Sequence, residues 1–292
     1  MVRIQFAIDL HYELLCPGAD FVFNIHAAQT ASQLVVSEQL QISQPVLSTI
    51  QTSPVTYARY LRLSVDQGPL HVTYAATLDI DHYVADPDSI GETPIGKLPL
   101  SALTYIYPSR YCQSDRLGLL AMKEFGHLPK GYRRVEAVQT WVRQQVAFRS
   151  NTSNSNTSAI DTLTDRVGVC RDFAHLMIAI CRALSIPARF TTGIDYGADP
   201  ALGPTDFHAY VEVFLDNRWY LFDPSGTAIP MGFVRMGTGR DAADVSYATI
   251  FGSVTSPPPV ITVSAITEAG RPWELPRHRK EALSTDATVN NA

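Results

Sequence analysis

The chain has 292 residues, 46% apolar and 17% charged, with a mean hydropathy near zero. That is enough apolar material for one or two buried cores, and the bulk of the chain lacks the polarity of a disordered protein. A formal net charge of −5, with no basic stripe or polybasic segment, argues against nucleic acid and against an anionic membrane as partners. No uninterrupted apolar run reaches the ~18 residues of a membrane span. The start, MVRIQFAIDLHYEL, alternates apolar and polar residues where a signal peptide needs a continuous apolar run, so a cytoplasmic location is expected. Cys16, Cys112, Cys170 and Cys181 are scattered without a Cys-x-x-Cys pair. Neither a disulfide scaffold nor a structural zinc site is expected from them, and the Asn-x-Ser/Thr matches at Asn151 and Asn156 carry no weight.

The first 85 or so residues read as strands. RIQFAIDL places Ile4, Phe6 and Ile8 on one face, and FVFNIHA does the same with Phe21, Phe23 and Ile25. YLRLSVDQGPLHVTYAATLDI reads as two strands around a Gln67-Gly68-Pro69 turn. The expectation is an antiparallel β-sandwich domain over residues 1–90. Residues 86–100, DPDSIGETPIGKLPL, bunch proline and glycine and read as a linker.

After that the period changes. SDRLGLLAMKEFG and RVEAVQTWVRQQV repeat apolar residues at helical spacing. NTSNSNTS (151–158) is a polar loop, and Ser158 with Asp161 three residues on resembles a capping box opening a short helix over 159–166. A second domain is expected over 100–255. The remainder, 256–292, begins with TSPPPV, ends with STDATVNNA and is expected to be extended or disordered.

DRVGVCRDFAHL (165–176) raises the question of chemistry. From Cys170 the apolar positions are Phe173, Ala174, Met177, Ile178, Cys181 and Leu184, the series of a helix packed on one face. Gly168 permits a tight entry, and Pro187 stops the helix beyond Ser185-Ile186. Cys170 therefore sits in the first turn on the inward stripe, where unsatisfied N–H groups and the helix dipole favour a thiolate. Cys181, three turns on, has no such help and reads as a core residue. A cysteine on an apolar helix face is ordinarily packing; it becomes a nucleophile only if a base and an orienting carboxylate can reach it.

DFHAYVEVFLDNRWYLFDPS (206–225) supplies both. Two strand-like runs flank Asp216-Asn217, a good type I′ hairpin turn. With those two residues as the loop, Leu215 faces Arg218, Phe214 faces Trp219 and Tyr210 faces Asp223. His208 shares a face with Tyr210 and lies diagonally from Asp223, about 7–8 Å away at the backbone. A loop one residue longer would send Asp223 to the other face. Cys170, His208 and Asp223 thus read as nucleophile, base and orienter. Zinc accepts the same atoms, but structural zinc wants four ligands, often in short-spaced pairs, so no metal and no cofactor are expected.

GVCRDFAHL, DFHAYVEVF and WYLFDPS, in Cys–His–Asp order, resemble the transglutaminase-like superfamily of papain-fold cysteine enzymes. PSRYCQSDRL (108–117), TSAIDTL (157–163), CRALSIPAR (181–189) and GRDAADV (239–245) resemble its bacterial members with an N-terminal β-rich domain. The resemblance implies an α+β fold: an N-terminal β-sandwich, then a papain-like core with the nucleophile at a helix N-terminus packed on an antiparallel sheet. It also implies acyl transfer. Cys170 attacks an amide carbonyl, His208 protonates the departing amine, Asp223 orients His208, and a thioester is released by water or a second amine.

The backbone N–H of Cys170 is the obvious first oxyanion donor. Arg110 and Tyr111 of the SRYC block are candidates to line the cleft and bind substrate, while Trp141 reads as core. Asp172 opposes a thiolate unless Arg171 or Arg189 pairs it. His175, off the apolar stripe, reads as a surface or outer residue. Peptide or protein amides are the expected substrates. Hydrolysis, as a protease or amidase, is the leading expectation, beside cross-linking to an amine acceptor and a non-catalytic scaffold on the same fold.

Overall fold

The computed structural model describes residues 1–194 and 196–285. Strand β1 (Val2–Leu14) pairs along one edge with β6 (Pro69–Ile80), which pairs with β3 (Gln33–Ile42). A second sheet holds β2 (Ala19–His26), β5 (Arg59–Val65) and the edge strand β4 (Ser48–Thr52). The expected alternation is observed: Ile4, Phe6 and Ile8 of β1 and Phe21, Phe23 and Ile25 of β2 are all buried. The two sheets face each other across this apolar layer, where Tyr12 packs on Phe21 and Phe23. The Gln67-Gly68-Pro69 turn, with Gly68 at φ +80°, joins β5 to β6 as strands of different sheets, so it carries the chain across the sandwich and closes no hairpin.

The sandwich is completed from the far end of the chain. β14 (Ala248–Phe251) adds to β2, while β15 (Val254–Thr255) and β16 (Val260–Ile266) pair with successive stretches of the open edge of β1. The stretch after residue 255 is thus extended in part as a sheet strand; residues 286–292 lie outside the described residues. Residues 86–100, expected as a linker, are fastened to the second half. Two single 3-10 turns shape them, Ile90 and Leu98 are buried, and Glu92 forms a partly buried ion pair with Arg134. β7 (Tyr83–Ala85), just before them, pairs with β17 (Ala282–Ser284).

The second half is a helical layer on an antiparallel sheet. α1 (Leu100–Leu103), α2 (Gly118–Phe125), α3 (Tyr132–Gln145) and α4 (Ala159–Asp165) precede α5 (Cys170–Ala183). α4 opens as its sequence suggests, with the Asp161 carboxylate accepting from the Ser158 N–H and hydroxyl, which holds that carboxyl below its usual range. The sheet runs β12 (Arg218–Phe222), β11 (Phe207–Leu215), β10 (Ala188–Ile194), β13 (Val234–Gly239). β10 and β13 are buried throughout because α5 covers one part and the sandwich another: Ile194, Val234 and Met236 belong to the same apolar cluster as β1 and β2. Phe173, Leu176, Met177 and Ile180 of α5 are at most 1% exposed, each worth ~1.5–3 kcal/mol of burial. The helix ends at Ala183, and Ser185 turns out of it at φ +63°.

Candidate active site

The start of α5 is held on three sides. β8 (Ala147–Phe148) pairs in parallel with β9 (Val167–Gly168), fixing the chain just before the helix to the end of α3. Asp172 reaches back so that its Oδ2 accepts the Val169 N–H at 2.8 Å. Gly168 makes room for this, since a Cβ there would lie 2.7 Å from the Asp172 Cβ. Cys170 is left partly buried on the floor of a cleft of about 510 Å³, its thiol donating to the Phe207 carbonyl at 3.9 Å.

The hairpin takes the register that its turn chemistry requires. Asp216 and Asn217 both have positive φ (44° and 60°), and Leu215 pairs with Arg218, Phe214 with Trp219 and Val211 with Phe222. His208 Nε2 then lies 3.3 Å from Asp223 Oδ1, and His208 lines the same cleft as Cys170. The structure therefore brings Cys170, His208 and Asp223 together.

Both hairpin groups are almost wholly buried, at 3% exposure each, so their charges are decided by neighbours. Burial by itself lowers the imidazole; the Asp223 carboxylate and the Cys170 thiol outweigh it and hold His208 well above the ordinary histidine range. Burial likewise raises Asp223, but His208, the Ser225 hydroxyl and the Ala228 N–H outweigh it and keep the carboxyl below its usual range. The Ser225 hydroxyl donates to Asp223 Oδ1 at 2.6 Å and the Ala228 N–H to Oδ2 at 3.2 Å. An arginine on α3 secures the same turn: Arg143 donates to the Asp223 carbonyl, and it packs so closely on Gly226 that a Cβ there would lie 2.3 Å from the guanidinium.

Two residues of the site escaped the sequence analysis. Ser225 follows Asp223 by two, the spacing of a side-chain-capped turn, so DPS carried a readable signal. Gly193 did not. It faces His208 across β10 and β11, and a Cβ would lie 1.9 Å from the Val234 carbonyl, a closeness visible only once β13 is in place.

Other expectations need correction. Arg110 and Tyr111 do not line the cleft that holds Cys170. Tyr111 stacks on His175 of α5 with ring centroids 5.0 Å apart and donates its hydroxyl to the Ser155 carbonyl of the 151–158 loop, and Arg110 lies over the Tyr111 ring. His175 is fully buried, its Nε2 accepting the Ala242 N–H at 3.1 Å. Arg189 pairs with Glu212 instead of Asp172, leaving Arg171, at 3.8 Å, as the cation beside Asp172; burial raises the Asp172 carboxyl. Trp141 packs edge-on against Phe125 in the core, as expected. The cleft walls are aromatic and acidic: Phe148, Phe190 and the stacked pair Phe207–Tyr247 on one hand, Asp199 and Asp206 on the other.

The family is decided by similarity along the whole chain. A solved structure from Cytophaga hutchinsonii, of a protein named provisionally as a cysteine protease, is 36% identical and superposes with a TM-score of 0.88 over 97% of both chains. The transglutaminase-like superfamily profile matches residues 122–224, and the profile of the bacterial transglutaminase N-terminal domain matches residues 2–101. This chain belongs to the transglutaminase-like superfamily. Its core match spans Cys170, His208 and Asp223, and its N-terminal match spans the strands of the sandwich through β7. Curated relatives include an uncharacterized Mycobacterium leprae protein, 30% identical over 125 residues (41% of this chain, 44% of the relative). An uncharacterized protein of Mycobacterium tuberculosis is 31% identical over 109 residues (34% and 35%). The matched region thus spans less than half the length of either curated relative.

Proposed function

We propose that this superfamily member is a cysteine-dependent acyl-transfer enzyme that hydrolyses peptide or protein amides through a thioester. The observation that carries the reading is the convergence, in one cleft, of a thiol in the first turn of α5 with an imidazole that Asp223 holds charged.

The steps follow from the groups present. Cys170, its thiol proton passed to His208 to leave a thiolate beside the imidazolium, attacks the amide carbon, and the carbonyl oxygen takes up negative charge against the backbone N–H of Cys170 at the start of α5. His208, held as imidazolium by Asp223, gives its proton to the nitrogen as the carbon–nitrogen bond breaks and the amine leaves. Now neutral, it removes a proton from water as the oxygen attacks the thioester, and Cys170 departs. Aromatic walls beside Cys170 suit an extended peptide with apolar side chains.

The test is turnover of unlabelled and fluorescent peptide libraries by the wild type and Cys170→Ala, scored for new N-termini, for ammonia and for incorporation of an added primary amine. New N-termini or ammonia that vanish in Cys170→Ala are the expected result. Turnover that survives the substitution overturns the reading. Amine incorporation without hydrolysis keeps the thioester and removes the hydrolase.

A further inference from the structure

A second cluster of donor atoms lies on the outer face of the sandwich, and no step of the proposed chemistry uses it. His11 of β1 sits directly opposite His71 of β6, and Asp9, two residues before His11, points to the same face. The two imidazoles stack with ring centroids 4.0 Å apart and an interplanar angle of 15°. Their Nε2 atoms lie 2.8 Å and 2.7 Å from one and the same oxygen, Asp9 Oδ1. The three donor atoms all fall within 4.8 Å of one another.

This is an unusual use of a surface. Two aromatic bases and a carboxylate are aimed at a common point while remaining accessible, with 51%, 41% and 39% of the side chains exposed for His11, His71 and Asp9. The mounts are stiff: they stand on the two central strands of a five-stranded sheet, over Tyr12, Leu70 and Val72 packed in the core. The backbone beneath His71 is fixed too, since its N–H donates to the Ser43 hydroxyl and its carbonyl accepts the Ser43 N–H. Glu13, the next outward residue of β1, adds a second negative charge. A depression of about 440 Å³ bounded by Thr255, Ser256 and Pro257 opens beside the pair.

We propose that Asp9, His11 and His71 bind a late first-row divalent cation, with Zn²⁺ as the ordinary occupant. Imidazole with carboxylate is the donor set that Zn²⁺, Cu²⁺ and Ni²⁺ accept, whereas Mg²⁺ and Ca²⁺ want oxygen alone. Each histidine presents Nε2 to the ion and keeps its proton on Nδ1. Three protein ligands leave one position of a tetrahedron to water or to a donor seated in the adjoining depression. Asp9 and His11 form a short-spaced pair, but the third ligand, His71, is 62 residues from Asp9 in the chain and joins them only through the β1–β6 register.

The experiment is titration calorimetry of ZnCl₂ into the full chain carrying no histidine tag, in the wild type, Cys170→Ala, His11→Gln and His71→Gln. One equivalent is expected to bind in the wild type and equally in Cys170→Ala, which removes the thiol of the proposed active site. Either histidine variant is expected to weaken it by at least the ~10–100-fold that even outer-shell substitutions cost a metal site. Nitrogen hyperfine splitting of bound Cu²⁺ reports the ligands directly: two imidazoles in the wild type and one in His71→Gln. Amide turnover and metal-free thermal unfolding stay at wild-type values in both histidine variants. No stoichiometric binding by the wild type, or binding unchanged in the histidine variants, overturns the proposal.

Discussion

Two histidines lie buried in the second half of this molecule, and their surroundings drive them to opposite charge states. His208 on β11 is 3% exposed and His175 on α5 is not exposed at all. Burial pushes both toward the neutral form. His208 nonetheless sits well above the ordinary histidine range, since it faces the Asp223 carboxylate and the Cys170 thiol. His175 sits well below, because burial is joined by the cations Arg171 and Arg182 and its ring contacts are Tyr111 and Phe190. Burial amplifies whatever charge faces the ring and does not choose its sign. A buried histidine becomes an acid–base group when a carboxylate is buried with it, and a structural acceptor when a backbone N–H is its partner.

That contrast can be broken at its centre. Cys170→Ala or His208→Ala is expected to cut amide turnover by at least about 10⁴-fold, because groups acting as a unit fail together. His175→Gln, equally buried but outside the unit, leaves turnover within a few-fold by the same argument; steady-state kinetics on one peptide substrate compares all three. Equal losses in the His175 and His208 variants would erase the distinction.

Asp223→Asn removes the charge and keeps the shape. Turnover is expected to fall about 10²–10⁴-fold. Without the carboxylate that outweighs burial, the imidazolium is lost at lower pH, so the alkaline limb of kcat/KM moves to lower pH. A full pH profile checks this, and an unmoved limb assigns Asp223 a purely structural place.

Ser225→Ala takes from Asp223 its shortest hydrogen bond while leaving its charge. We expect roughly a tenfold loss of turnover and about 1 kcal/mol of stability, read from kinetics and from urea unfolding of the same preparation.

The smallest effect concerns acid. The folded pKa of His175 is depressed, so below pH 6.5 the unfolded chain binds a proton that the fold refuses, and stability falls as pH falls. Each such histidine costs roughly 1.4 kcal/mol per pH unit between its unfolded and folded values. His26 and His82, both held by burial at about 4, add the same slope. His175→Gln keeps a side-chain acceptor for the Ala242 N–H and is expected to flatten the decline between pH 6.5 and 5 by about that one-histidine share. Urea midpoints at four pH values decide it, and an unchanged slope would show that His175 takes up its proton in the fold.

Much of the proposed site was legible because its information is local. The period of CRDFAHLMIAIC places Cys170 in the first turn of α5 whatever surrounds it, and Asp216-Asn217 sets a two-residue turn from which the His208–Asp223 diagonal follows by counting. Alternation along β1, β2 and β6 likewise marks their buried faces. What could not be counted depended on which strand came to lie beside which. Glu212 captures Arg189 because β10 and β11 put them opposite each other, which leaves Asp172 with Arg171. Tyr111 was drawn onto His175 and away from the cleft by the packing of the 151–158 loop, and His175 was buried by the same contact. β14, β15 and β16 return to the sandwich because β1 and β2 have open edges to fill, and an open edge is a property of the assembled sheet. The sequence by itself determined helices, turns and the faces of strands, since those arise from side chains a few residues apart. Only the tertiary structure decided the pairing of distant charges, the closeness that requires Gly193 opposite His208, and the meeting of Asp9 and His11 with His71 across β1 and β6, because each rests on a register between segments far apart in the chain.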